Sequence, residues 1–460
     1  MRLAPATLDD LPADVSRPSY DRDAQAVGIV HFGIGAFARA HLAAYCDAAM
    51  ESGENGWMIS GVSLRSDAVA QQLDPQGGLY TLTERSGNEA TTRVIGSIRE
   101  VLVAGSDAEA IADRIASPDC KIVGFTVTEK GYCRGSDGSL DLDLAEKSFY
   151  PLLCAGLRRR RTEGLPGVTL LSCDNLPDNG GELARLLGSY THLRTRHISM
   201  WVPDECSFPS TMVDRIVPAT SDADRDALAR RIGMRDEGAV FTERFTQWVI
   251  EDRFAGPRPC WEKLGVEIVS DVAPYETAKL RMLNGAHSFL AYCGLLRGHE
   301  FVHQAIADPE LRLAVNRLMR VEGAGCINPA PGQDLIAYAD RLVARFEDPA
   351  LNHRLAQIAM DGSQKIPQRW LGALAEASGQ CPAILTGIAA WLLHIADCKL
   401  LDDPLAEKLR AGVEGKDIVE QVFNLFGAKG LLASAWVPSA ADIAFIEKAH
   451  SELGRMGEGQ

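Results

Sequence analysis

The chain has 460 residues, of which 46% are hydrophobic and 24% charged, and a formal net charge of −15. This is ordinary composition for a soluble protein, with enough length for two domains or three. The negative charge argues against a nucleic-acid surface, which needs clustered positive potential.

Residues 1–25 are polar and rich in proline and aspartate, and an irregular lead-in is expected there. They contain no apolar h-region, so no secretory signal is expected. The apolar run 26–32 fits a buried strand, and a glycine-rich turn and a helix to about Met50 follow it. Further buried strands are expected at 57–63, 121–127, 168–172 and 266–269, with helices at 108–116 and 144–161. Strands alternating with helices imply a parallel sheet covered on both faces. The run Arg158–Arg161 reads as a solvated helix end. From Tyr275 onward helical periodicity takes over, at 276–296, 309–321, 334–346, 384–396 and 418–425. The expected fold is therefore α/β. A doubly wound parallel sheet is expected over 1–270 and a mostly α-helical part over 271–460. The longest apolar stretch, 383–396, is too short to span a bilayer and reads as a buried helix. Eleven scattered cysteines with no Cys-x-x-Cys pair point to reduced thiols, no structural metal and a cytoplasmic location.

Gly33, Gly35 and Ala38 fit G-x-G-x-x-G/A between a strand and a helix. The first glycine permits the tight turn, the second lets the backbone approach a pyrophosphate, and the small third residue lets helix and strand pack. The helix N-terminus offers unpaired N–H groups to the phosphates. The second strand ends at Ser63, with Asp67 just beyond. Asp67 suits the ribose hydroxyls and so favours NAD, or else it caps the next helix. Arg65 leaves NADP open.

Three routes to alcohol–ketone chemistry compete. Zinc needs clustered ligands, and no such spacing occurs. Tyr275 and Lys279 match Tyr-x-x-x-Lys, but beyond the sheet, where the match reads as chance. The third route uses lysine. A free lysine titrates near 10.4, and burial beside cations or apolar groups brings it to roughly 7–8, where it can exchange a proton with an alcohol. On an α-helix Lys279 and His287 lie about 80° apart, and Asn284 adjoins His287. The three suit one pocket. Asn284 can donate to a developing alkoxide, and His287 can hold the hydroxyl or fix the lysine.

Several motifs then resemble the mannitol dehydrogenase family of polyol-specific long-chain dehydrogenases and reductases. They are Gly33-x-Gly35-x-Phe37-x-Arg39-x-His41, Thr126-Val-Thr-Glu-Lys-Gly-Tyr-Cys133, Ser172-Cys-Asp-Asn175, Met212-Val-Asp-Arg-Ile-Val-Pro218, Gln247-Trp-Val-Ile-Glu-Asp252, Lys279…Asn284…His287 and Asp361-Gly-Ser-Gln-Lys365. The resemblance covers nearly the whole chain and implies a Rossmann-type dinucleotide-binding domain over 1–270 and a mostly α-helical substrate and catalytic domain over 271–460. It implies Lys279 as general acid–base, Asn175 and Asn284 as the amide pair for the oxyanion, and His287 as a positioning group. It also implies Asp214 and Lys365 in the substrate site, Glu276 as a proton-exchange partner, and Gly33, Gly35, Phe37, Ala38 and Asp67 around the nucleotide. Plainer roles stand beside these. Asn175 could cap the segment from Pro177, Asp214 could pair with Arg215, and Lys365 could be a solvated charge.

Polyol-oxidising members often carry arginine where this chain has Gln357. The stretch Gln364-Lys365-Ile-Pro-Gln-Arg369 is similar to the fructuronate reductase (D-mannonate oxidoreductase) branch, and Lys365 and Arg369 could meet a substrate carboxylate. The expected activity is NAD(P)-dependent interconversion of D-fructuronate and D-mannonate. A mannitol or arabinitol 2-dehydrogenase is the alternative, and a silent nucleotide-binding protein the remote one. The expected partners are a small sugar acid or polyol, with no nucleic acid or membrane, for a monomer or weak homo-oligomer.

Overall fold

The computed structural model describes residues 1–135 and 137–457. It divides into two compact units, Met1–Val272 and Ala273–Gln460.

The first unit is built on a five-stranded parallel sheet of β1 (Val27–Phe32), β2 (Met58–Ser63), β5 (Ile98–Val103), β6 (Ile122–Phe125) and β7 (Thr169–Ser172), in the order β5-β2-β1-β6-β7. The chain turns one way from β1 to β2 and the other way to β6. The crevice beyond the ends of β1 and β6 is therefore the switch point at which such sheets bind ligands. Helices cover both faces, which is why the inner strands read as unbroken apolar runs. On one face α2 (Leu42–Glu51) sets Leu42, Cys46 and Met50 against Ile29 and Ile59. On the other, α4 (Ala108–Ala116) and α6 (Tyr150–Thr162) bring Ile111, Ile115, Leu153 and Leu157 onto Val30 and Val123.

Two smaller sheets complete this unit. In one, β3 (Tyr80–Ser86) lies between β4 (Glu89–Ile95) and β9 (Val240–Glu243). In the other, β10 (Gln247–Glu251) lies between β8 (Thr211–Asp214) and β11 (Glu267–Val269). Of these strands, the sequence reading placed only β11.

The structure corrects several other expectations. Residues 1–25 are irregular only in part. Pro5–Asp10 form a 3₁₀ helix, and Leu3, Leu11 and Val15 are buried against Leu79 and Phe241. The helix after the glycine turn breaks at His41, between α1 (Ala36–Ala40) and α2. The expected helix 144–161 is two, α5 (Leu142–Ala145) and α6. Arg160, read as solvated, is 1% exposed. Its guanidinium donates to the carbonyls of Ile115, Ser117, Cys120 and Pro166 at 2.8–3.3 Å. It ties the ends of α4 and α6 to the turn before β6.

The second unit is helical. Gly285–Leu296 and Pro382–Asp397 form its centre, and most of their side chains are buried. Among the described residues three turns are π-helical: Lys279–Asn284, Leu318–Gly323 and Pro367–Leu371. The expected helix 276–296 contains one, and the expected helix 309–321 runs into another. The Lys279-to-His287 angle counted at 100° per residue therefore does not apply. No helix among the described residues is long and apolar enough to cross a membrane.

Candidate active site

In the first unit Gly33 takes φ +94°, and a Cβ built there would stand 2.1 Å from the Thr126 carbonyl. No other residue fits. Gly35 heads α1, is exposed, and a Cβ on it would meet nothing within 4 Å. That leaves its backbone open to a ligand. Ala38 is buried where α1 meets the sheet core. This turn suits a dinucleotide pyrophosphate.

The turn is anchored from beneath. The Thr126 hydroxyl donates to Gly33 O at 2.6 Å, so His31 Nε2 donates to Thr126 Oγ1 at 2.9 Å. His31 is fully buried, and burial pushes its pKa down to about 3, which keeps the ring neutral. Its registered neighbours on both sides are glycines, Gly61 and Gly124, and a Cβ on Gly124 would come within 2.3 Å of the ring. Phe37 is half-buried and stacks on His41, with ring centroids 5.0 Å apart. Arg39 donates to the carbonyls of Gly35 and Gly238 and braces the turn. Asp67 stands at the start of α3 (Ala68–Leu73), and its side chain makes no cap hydrogen bond. Its carboxylate accepts from Gln71 Nε2 at 2.8 Å.

Beyond β6, Thr128 has φ +67° and ψ 164°. This is territory that only glycine occupies at ease. The buried Asp174 carboxylate accepts from Val127 N at 3.1 Å, Thr128 N at 2.8 Å and Tyr132 OH at 3.0 Å. Burial raises the Asp174 pKa, and those three donors pull it back. The next residue, Asn175, is exposed. It is not the cap of α7 (Asn179–Arg194). That role falls to Asp178, whose carboxylate accepts from Gly181 N. Asp214 ends β8, is 7% exposed and lies in register with Gln247. The adjacent Arg215 donates to Glu84 and to the carbonyls of Ala40 and Glu243.

In the second unit Lys279 opens a π turn and Asn284 closes it, both half-buried, with Glu276 in the helical turn before them. A π turn disrupts the regular backbone ladder, so its carbonyls need other donors. Another π turn supplies them. Arg369 donates to Asn284 O at 3.2 Å and Ser288 Oγ at 2.8 Å, and Trp370 Nε1 donates to Gly285 O at 3.2 Å. Arg281 forks onto Glu376 at 2.6 and 2.8 Å and also donates to the Cys326 carbonyl.

His287 is buried, 4.9 Å from the Phe346 ring and 5.1 Å from His353 between centroids. Its pKa lies well below the usual value, through burial first and then through His353, Arg345 and Arg369. Burial, Arg345 and Lys365 push His353 down to about 4. Burial lowers Arg369 to about 10, while burial and Arg369 lower Lys365. Lys365 donates to the carbonyls of Met360 at 2.6 Å and Ile358 at 3.2 Å, so it is not a freely solvated charge. In the motif just before it, a Cβ on Gly362 would strike Trp391 Nε1 at 2.5 Å, and Ser363 is anchored on Asp403.

Within each unit the structure gathers several of the residues singled out by sequence. Around Asn284 and His287 it adds Ser288, Arg345 and His353, and around the glycine turn it adds His31, Thr126, Thr128 and Asp174. Thr128 and Asp174 lie inside motifs already recognised. Their residue types alone carry no sign of a strained backbone or a buried carboxylate.

The Mannitol dehydrogenase Rossmann domain family matches residues 27–263, and the Mannitol dehydrogenase C-terminal domain family matches 271–429. The D-mannonate oxidoreductase of Escherichia coli (strain K12) is 37% identical over 98% of this chain and 98% of its own. A mannitol 2-dehydrogenase of Aspergillus fumigatus is 39% identical over 90% of this chain and 89% of its own. The Pseudomonas fluorescens mannitol 2-dehydrogenase, solved as a ternary complex with NAD and D-mannitol, superposes with a TM-score of 0.82 at 34% identity. That match covers 100% of this chain and 99% of the other. Identities of 37% and 39% do not separate a sugar-acid branch from a polyol branch.

Proposed function

The chain belongs to the mannitol dehydrogenase family and is an NAD-dependent oxidoreductase of CH–OH groups; within that class we propose that it interconverts D-fructuronate and D-mannonate. The observation that carries the choice of a sugar acid is the cationic surround of His287. After burial, Arg345 and Arg369 depress its pKa, and Arg345 and Lys365 depress that of His353, which is neutral near pH 7, while Asp361, Asp402 and Asp403 act on Lys365 in the opposite sense. Such a field favours an anionic substrate. Arg369 and Lys365 also keep N–H groups beyond those bonded to protein carbonyls and Ser288. A substrate carboxylate can take these.

The glycine turn at Gly33 and Gly35, with Phe37, Ala38 and Asp67, would hold NAD, whose nicotinamide supplies the hydride when bound. The family also counts NADP-dependent reactions, and the exposed Asp67 and Arg65 are where this chain would choose between them. Lys279 gives its proton to the alkoxide oxygen in reduction and takes it back in oxidation, with Glu276 exchanging that proton onward. Asn284 donates its amide to the same oxygen, and Asn175 carries the second amide. His287, kept neutral by burial, orients the reacting hydroxyl. Asp214 and Lys365 bind the remainder of the substrate.

Steady-state kcat/KM on fructuronate, fructose and their reduced partners tests the reading. Fructuronate is expected to lead. A preference for fructose of about tenfold or more, equivalent to roughly 1.4 kcal/mol, overturns the sugar-acid choice and leaves a polyol 2-dehydrogenase.

A further inference from the structure

We propose that Asp174 is a positioning residue that holds the strained segment after β6 in the shape the dinucleotide requires. This rests on the reading of the Gly33–Gly35 turn as the nucleotide site and is independent of the choice of substrate.

Thr128 combines positive φ with extended ψ, and its branched β-carbon makes that conformation costlier still. Such a residue persists only where its surroundings over-determine it. Here the restraint has one centre. The N–H groups of Val127 and Thr128 both end on the Asp174 carboxylate, at 3.1 and 2.8 Å. Tyr132, fully buried, donates to the same carboxylate and shares a 2.5 Å hydrogen bond with Ser172 Oγ. The Tyr132 carbonyl in turn accepts from Tyr150 OH at 3.1 Å.

The strained residue lies where it matters. Two residues before it, the Thr126 hydroxyl holds Gly33 O, and β6 and β1 are neighbours at the switch point of the sheet. The main chain of Asp174 is fixed as well, because its carbonyl accepts from Leu176 N and Asn179 Nδ2, both at 2.9 Å. The same residue therefore sets one wall of the crevice and the start of the segment that carries Asn175. Without the carboxylate, Thr128 is free to relax to negative φ and turn the peptides on either side of it.

The test is NADH affinity, measured by nucleotide fluorescence with no substrate present. Asp174→Asn keeps the shape but turns an amide N–H toward a backbone N–H. It is expected to weaken NADH binding by about tenfold or more. Adding Thr128→Gly should restore affinity to within about threefold of the Thr128→Gly single variant, because glycine adopts the conformation without the clamp. A role confined to stability would lower the thermal midpoint and leave affinity and rescue unmoved. Wild-type affinity in Asp174→Asn overturns the proposal, and so does a double variant that fails to recover. If Asp174→Asn does not fold, Tyr132→Phe removes one partner of the carboxylate. It should then weaken NADH binding by about two- to fivefold, and unchanged affinity overturns the proposal. Wild-type protein that fails to bind NADH overturns the nucleotide reading beneath it, whereas a failed fructuronate assay leaves it standing.

Discussion

The Arg369 guanidinium donates 3.2 Å to the main-chain oxygen of Asn284 and 2.8 Å to Ser288 Oγ. The cation that suits a substrate carboxylate is thus also a strut of the turn that presents Asn284. Arg369→Lys keeps the charge and loses the planar fork. We expect kcat on fructuronate to fall by about 10- to 100-fold with NADH affinity unchanged. A rise in KM alone would assign Arg369 to uniform substrate binding instead.

Lys279→Ala should lower turnover by about 10²–10⁴, the usual range for a lost acid–base group, while NADH still titrates as in the wild type. Activity within a few-fold of wild type would remove the lysine from the chemistry.

Asn284→Ala should cost about 10²–10³ in kcat, the scale for one oxyanion donor. Its main-chain oxygen, and so its bond to Arg369, survives the substitution. The loss therefore reports the amide itself.

His31 predicts a pH dependence of stability. Its folded pKa of about 3 lies below the ordinary value of 6.5, so the unfolded chain binds the extra proton first as pH falls. Its contribution is complete above pH 6.5 and is lost on acidification, at about 1.4 kcal/mol per pH unit between the two values. Denaturant unfolding of His31→Gln at pH 7, 6 and 5 should show a shallower slope than wild type. Parallel slopes would mean that the ring is protonated in the fold.

Arg160 separates a charge run from a buried bond network. Arg160→Met orphans carbonyls now held at 2.8–3.3 Å and should cost about 2–5 kcal/mol in unfolding free energy. Arg158→Ala, on the exposed side of the same helix, should change it by less than about 0.5 kcal/mol.

The α/β architecture and the glycine turn were legible in the sequence for one physical reason. Parallel strands covered on both faces read as apolar runs, and the turn between β1 and α1 demands glycine at Gly33. The hairpin β3–β4 was not legible, because threonine, glutamate and arginine dilute its alternation. The four-residue strands β8 and β9 are too short to carry a period. Arg160 was misread because neighbouring arginines look alike until the helix is set against its partners. The cluster Lys279, Asn284 and His287 stood out by residue type. Asp174 and Thr128 did not, since a carboxylate held by two main-chain N–H groups leaves no mark on the sequence.

The π turn at Lys279–Asn284 gives the long helix two phases. Before it, Tyr275 and Ala278 are buried; after it, every residue from Gly285 to Gly294 is. Deleting any single residue of that turn would let the backbone close into a regular α-helix and swing everything downstream by about 100°. Each buried side chain from Gly285 to Gly294 would then meet different neighbours. Substitution can tune this helix residue by residue, but its length is fixed, and a change in residue count would reach the fold before it reached the chemistry.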